Sequence, residues 1–73
     1  MTASALASAL LDAPCIVDFL KKDGSLRRMI TVPQPGGVLV KQGYVTAYDA
    51  ENEGWRRIKP EAVQSLRPLV PLA

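Results

Sequence analysis

The sequence predicts a mainly β domain: a small, strongly bent antiparallel sheet or SH3-like barrel, preceded by a short N-terminal helix. Three observations carry that expectation. Five short segments have strand-like composition and alternation, turn signals of Gly, Pro, Asn and Asp separate them at close spacing, and 73 residues leave room for one modest core. A two-hairpin sheet under one helix fits the same pattern. The expected organisation is a single domain, 1–73, with a helix over 2–12, a β-rich body over 15–67 and an extended tail over 68–73.

The chain opens with MTASALASALLDAP, which is small, apolar and uncharged before Asp12. It lacks the positive start of a secretory signal and is too short and alanine-rich to span a bilayer, so no membrane role is expected. A short helix fits better. Thr2 or Ser4 caps it, Leu6 and Leu10 fall on one face at i, i+4, and Pro14 ends it. An isolated helix of this length is marginal in water, so it either packs on the body or waits for a partner to order it.

CIVDFL, Cys15 to Leu20, alternates as a strand, with Cys15, Val17 and Phe19 on one face and Ile16, Asp18 and Leu20 on the other. Asp23-Gly24 then predicts a tight turn over Lys21–Gly24, because glycine, and less readily aspartate, tolerates positive φ. The return strand, Ser25 to Val32, puts Leu26, Arg28, Ile30 and Val32 on one face and Arg27, Met29 and Thr31 on the other. Pro33-Gln34-Pro35-Gly36-Gly37 interrupts the pattern. Val38 to Val40 is either a short edge strand or apolar padding in a long loop. After the central hairpin, Pro60 to Val63 suits one helical turn with proline first, Gln64 to Arg67 a closing strand, and PLVPLA an extended end.

The central hairpin, YVTAYDAENEGWRRIK from Tyr44 to Lys59, holds both tyrosines, the only tryptophan and three of the nine basic residues. Two strand-like runs, Tyr44 to Tyr48 and Trp55 to Lys59, flank a polar loop ending at Gly54. If Val45, Ala47 and Ile58 point inward, period-two geometry turns Tyr44, Tyr48, Trp55 and Arg57 outward together, which is the composition of a binding hot spot. The competing arrangement buries Trp55 in a chain with few aromatics and puts Ile58 outside or at a bulge.

Charge adds a second group of candidates. Lys21 and Lys22 sit at one turn and Arg56, Arg57 and Lys59 beside Trp55, while Asp49, Glu51, Glu53 and Glu61 bracket the second cluster. For any one of these the plain alternative is a solvated surface charge, since exposed pairs contribute only ~0–1 kcal/mol. A net charge of +2 is too slight to name nucleic acid as the partner. The candidate partner-binding residues are therefore Tyr44, Tyr48, Trp55, Arg56, Arg57, Lys21 and Lys22.

Catalysis is not expected, and neither is a cofactor or metal. The chain has no histidine and one cysteine, Cys15, between apolar neighbours, which removes the usual zinc sites and histidine-dependent constellations. Gly36-Gly37 lies in a proline loop with no helix behind it to cradle a phosphate. Asp49, Glu51 and Glu53 lack metal-ligand spacing. The absence of paired cysteines fits a reducing cytosol.

The runs FLKKDGSLRRM and GYVTAYDAENEGWRRIKPEAVQSL resemble a class of very small phage-encoded β-rich proteins with a KKDG-x-x-R hairpin and a YD…GWR hairpin. The resemblance covers Phe19 to Leu66. With the length and the alanine-rich start, the whole chain looks like a lytic phage's transcription regulator. It implies a protein, monomeric when free, that acts in the cytoplasm of an infected bacterium. Its partner would be host RNA polymerase, met at the N-terminal part of β′ near the RNA exit channel, where it would inhibit initiation, promote antitermination and have emerging RNA within reach. No contact residue carries over individually. The alternative is a small single-stranded nucleic-acid-binding protein in which Tyr48 and Trp55 stack bases while Arg56, Arg57, Lys21 and Lys22 contact phosphates.

Overall fold

The computed structural model describes residues 1–69. A helix, α1 (Ala3–Asp12), precedes β1 (Cys15–Leu20), β2 (Leu26–Thr31), β3 (Leu39–Lys41), β4 (Tyr44–Asp49) and β5 (Gly54–Ile58); a 3-10 turn (Pro60–Ala62) then leads into β6 (Val63–Pro68). The strands form one antiparallel sheet in the order β3-β4-β2-β1-β6, with β5 added to the other edge of β4. The sheet curls strongly into a half-barrel, so the expected mainly β architecture with a short N-terminal helix is the one observed.

Thr2 caps α1, its hydroxyl accepting from the Ala5 amide at 3.1 Å. Leu6, Ala7 and Leu10 are buried, which places the helix against the concave side of the sheet. There they join Cys15, Val17 and Phe19 of β1, Met29 of β2, Val45 and Ala47 of β4 and Ile58 of β5 in one core. The helix therefore packs on the body. Because Leu10 is 1% exposed in so small a core, Leu10→Ala should cost about 2–5 kcal/mol. A chain of this size retains only about 3–5 kcal/mol, so the variant should be largely unfolded by circular dichroism at 25 °C.

The first hairpin forms where the sequence places it, with its tight turn over Lys21–Gly24. Lys21 N–H donates to Ser25 C=O and Gly24 N–H to Lys21 C=O, and only Gly24 takes positive φ, at 86°. Asp23 keeps ordinary φ because its carboxylate accepts from the Ser25 amide at 2.9 Å and the Ser25 hydroxyl at 2.6 Å. The result is a three-residue loop closed by glycine.

The uncertain stretch after Gly37 resolves as a strand. Leu39–Lys41 pairs with Tyr44–Thr46, and the two residues between, Gln42 and Gly43, both have positive φ, 53° and 79°. That is the geometry two-residue hairpins prefer, with glutamine at the place asparagine usually holds. Pro68 belongs to β6 rather than to a tail, and the Leu69 amide donates to Pro14 C=O at 2.8 Å. The rest of the expected tail, 70–73, lies outside the described residues. Among those residues no helix is long and apolar enough to cross a membrane.

One joint holds the two halves of the sheet together. β2 meets β4 at the single pair Thr31↔Asp49, extended by the Ala50 amide donating to Ile30 C=O at 2.9 Å.

Candidate functional site

Alternation along β4 and β5 sets the site. Val45, Ala47 and Ile58 are buried, and the register pairs Tyr48 with Trp55 and Thr46 with Arg57 on the opposite, convex face. Tyr44, Tyr48, Trp55 and Arg57 therefore point outward together, and Trp55, 55% exposed, is not a core residue. The Trp55 ring meets Tyr48 edge-on, 5.5 Å between centroids at 76°, a geometry in which the positive ring edge faces the partner's π cloud. Trp55 is thus held in place while much of its surface stays open.

Tyr44 sits differently. The Arg57 guanidinium lies over its ring at 4.8 Å and the Lys59 ammonium at 5.6 Å, both within reach of cation–π attraction. Lys41 stands opposite Tyr44 on β3, and Leu39 opposite Thr46. These put a third cation and an exposed leucine on the same face, and neither was among the residues singled out from sequence.

The two basic clusters, more than thirty residues apart in the chain, meet at one groove of about 530 Å³. Lys21 and Lys22 from the first turn form one wall, and Arg56, Arg57 and Lys59 of the β5 segment the other, with Tyr44, Glu61 and the apolar Phe19, Leu20, Ile58 and Ala62 also lining it. Five of the seven predicted site residues thus converge on the groove. Tyr48 and Trp55 lie outside its lining, farther along the same hairpin.

Arg56 departs from its neighbour. It faces the concave side, where its Nε lies 3.6 Å from Asp49 Oδ2, and Arg27 Nη2 reaches the same oxygen at 3.6 Å. At that separation the attraction is between charges, not a hydrogen bond, and the buried Nε atoms of Arg27 and Arg56 have no hydrogen-bond partner. Asp49 is 2% exposed. Its Oδ1 accepts from the Glu51 and Asn52 amides at 3.1 and 3.2 Å, and Oδ2 accepts from Asn52 Nδ2 at 2.8 Å. Glu53, not Gly54, supplies the left-handed residue of this loop, at φ 52°.

Reversing the two arginines should therefore separate fold from surface. Arg56→Glu sets a second carboxylate beside buried Asp49 and should cost about 2 kcal/mol, the exposure of the Arg56 side chain reducing the full buried-pair penalty. Arg57→Glu removes an exposed cation–π contact and should cost about 1 kcal/mol or less. Thermal melts of both variants check the difference.

On the convex face of the other half, Asp18 accepts from Arg28 Nε at 2.8 Å and Nη2 at 3.2 Å and from the Ser65 hydroxyl at 2.8 Å. The Arg28 and Ser65 hydrogen bonds hold its carboxyl below the usual range despite partial desolvation. For Asp49, burial pushes the carboxyl up, but hydrogen bonds from the Asn52 side chain and from the Asn52 and Glu51 amides, with the Arg56 charge, outweigh it and leave the group below its ordinary value. Groups depressed in the folded state contribute stability above the ordinary carboxylate value of about 4, and lose it as pH falls through that value toward the folded one. The melting temperature should hold from pH 7 to about 5 and drop below about 4. A melting temperature unchanged down to pH 3 would contradict both assignments.

Cys15 is buried, its thiol donating to Ala13 C=O at 3.2 Å. Burial first, and the nearby Asp12 charge second, push the thiol up, which suits a packing residue rather than a nucleophile. Among the described residues no group of three or more His, Cys, Asp or Glu side chains is placed to hold a metal ion. Chemically, the assembled surface offers one open tryptophan, a rim of cations and a groove lined by basic and apolar groups. In comparisons with family models, curated proteins and solved structures, the chain matches none.

Proposed function

We propose that this protein is a phage regulator that acts by binding, docking on host RNA polymerase near the β′ N-terminus and the RNA exit channel to inhibit initiation and promote antitermination in the cytoplasm of the infected cell. The sequence resemblance supplies the partner, and the site supplies a surface suited to one. The observation that carries the reading is the half-open Trp55, braced edge-on by Tyr48 and flanked on the same face by Arg57. Tryptophan, tyrosine and arginine are the residues that dominate protein–protein affinity.

Single-stranded nucleic acid is the second reading, and the basic groove is the observation in its favour. Against it, two cations already cover the Tyr44 ring, so base stacking falls to Trp55 and Tyr48, which are set edge to face. The test is recovery of partners from host lysate on the tagged protein, with nuclease treatment and mass spectrometry. RNA polymerase subunits recovered after nuclease support the regulator. Recovery of nucleic acid without polymerase, together with oligonucleotide affinity that falls steeply with salt, overturns it in favour of the second reading.

A further inference from the structure

β5 pairs on one side only, with β4, and its other edge has no strand beside it among the described residues. The groove runs against this strand: Arg56, Arg57 and Ile58, then Lys59, form one wall, and the end of β1 with Lys21 and Lys22 forms the other. Five cations and one carboxylate, Glu61, line it, and Leu20 and Ala62 supply apolar surface between them, over the buried Phe19 and Ile58. An open sheet edge presents unpaired backbone donors and acceptors, which is a template for another strand. The charges decide which strand. A second copy of β5 would bring Arg56 and Arg57 against the same cations, so self-pairing is repelled, whereas an extended segment carrying carboxylates is attracted.

We propose that the β5 edge and its groove accept an extended acidic segment of a partner protein by strand addition. The segment's backbone continues the sheet past β5, its carboxylates meet Lys21, Lys22 and Lys59, and its alternate apolar side chains lie on Leu20 and Ala62, as period-two geometry requires. A nucleic-acid strand would use the cations but neither the backbone edge nor the apolar lining. This deepens the proposed docking on polymerase and rests on it for the partner's identity, while the groove's ligand class can be tested separately.

The probe is a synthetic decapeptide of alternating Val and Glu, titrated into the ¹⁵N-labelled full chain, with amide hydrogen exchange read across β5. Two comparison probes are the Val–Lys decapeptide and a ten-nucleotide oligo(dT). The expected result is at least tenfold slower exchange at amides on the open edge of β5 with the acidic peptide alone. The expected affinity is at least tenfold weaker in Lys21→Glu/Lys22→Glu, whose substitutions lie in an exposed turn and leave the core untouched. Equal protection by the Val–Lys peptide, tighter binding of oligo(dT) in the groove, or unchanged β5 exchange with the acidic peptide overturns the inference. If peptide binding fails while polymerase is still recovered, only strand addition is lost; if the peptide binds and polymerase is not recovered, only the polymerase assignment is lost.

Discussion

Asp49→Ala should leave the chain close to unfolded at 25 °C. Asp49 accepts three hydrogen bonds that shape the β4–β5 loop, places its charge between Arg27 and Arg56, and occupies the single β2–β4 pair joining the two halves of the sheet. Removing it frees two backbone donors and leaves two partly buried guanidinium groups facing each other. Both arginines keep some access to water, so the penalty should lie near the lower end for a broken buried pair, about 3 kcal/mol. For a domain of this size that corresponds to a fall in melting temperature of roughly 12–24 °C. Asp49→Asn separates charge from shape. It can keep an acceptor for the loop amides while losing the ion pairs, so it should cost less, about 1–2 kcal/mol, and should flatten the acid dependence of the melt. Equal losses from the two variants would mean that the charge, not the loop hydrogen bonds, holds the joint.

Trp55→Ala should act on binding instead. With more than half of the ring in solvent, truncation removes the edge contact with Tyr48 and little core packing, so folding should lose about 1 kcal/mol or less. Binding to polymerase should fall by about 2 kcal/mol or more, roughly thirtyfold. Isothermal titration and thermal melts on the same preparation read both quantities. An intact affinity with intact folding would remove Trp55 from the interface, and a collapse of folding would contradict its exposed placement.

Both residues follow from the same period-two alternation, and they differ in how readily it showed them. Once Val45 and Ala47 were placed inward, Tyr44 and Tyr48 had to face outward, and Trp55 and Arg57 followed from Ile58. The same counting puts Asp49 inward after Ala47, Arg56 inward before Ile58, and Arg27 inward before Met29. Three charges of complementary sign on the buried face were therefore visible as an ion-pair cluster. Asp49 is hard to see because it opens a polar run, which has the composition of a loop. β3 was obscured by Gln42, since a left-handed glutamine is not a turn signal a sequence announces. The groove needed more than local pattern, because it forms only when the curl of the sheet brings Lys21 and Lys22 beside Arg56 and Arg57. Sequence spacing alone carries no record of that curl.

The most direct test of the docking face is hydrogen–deuterium exchange of the full chain, free and bound to purified host RNA polymerase. The expected result is slowed exchange over 44–48 and 54–59, with the amides of the convex face around Leu26 and Ile30 unchanged. Protection confined to that second face or to α1, with the central hairpin exchanging as in the free protein, would contradict the assignment.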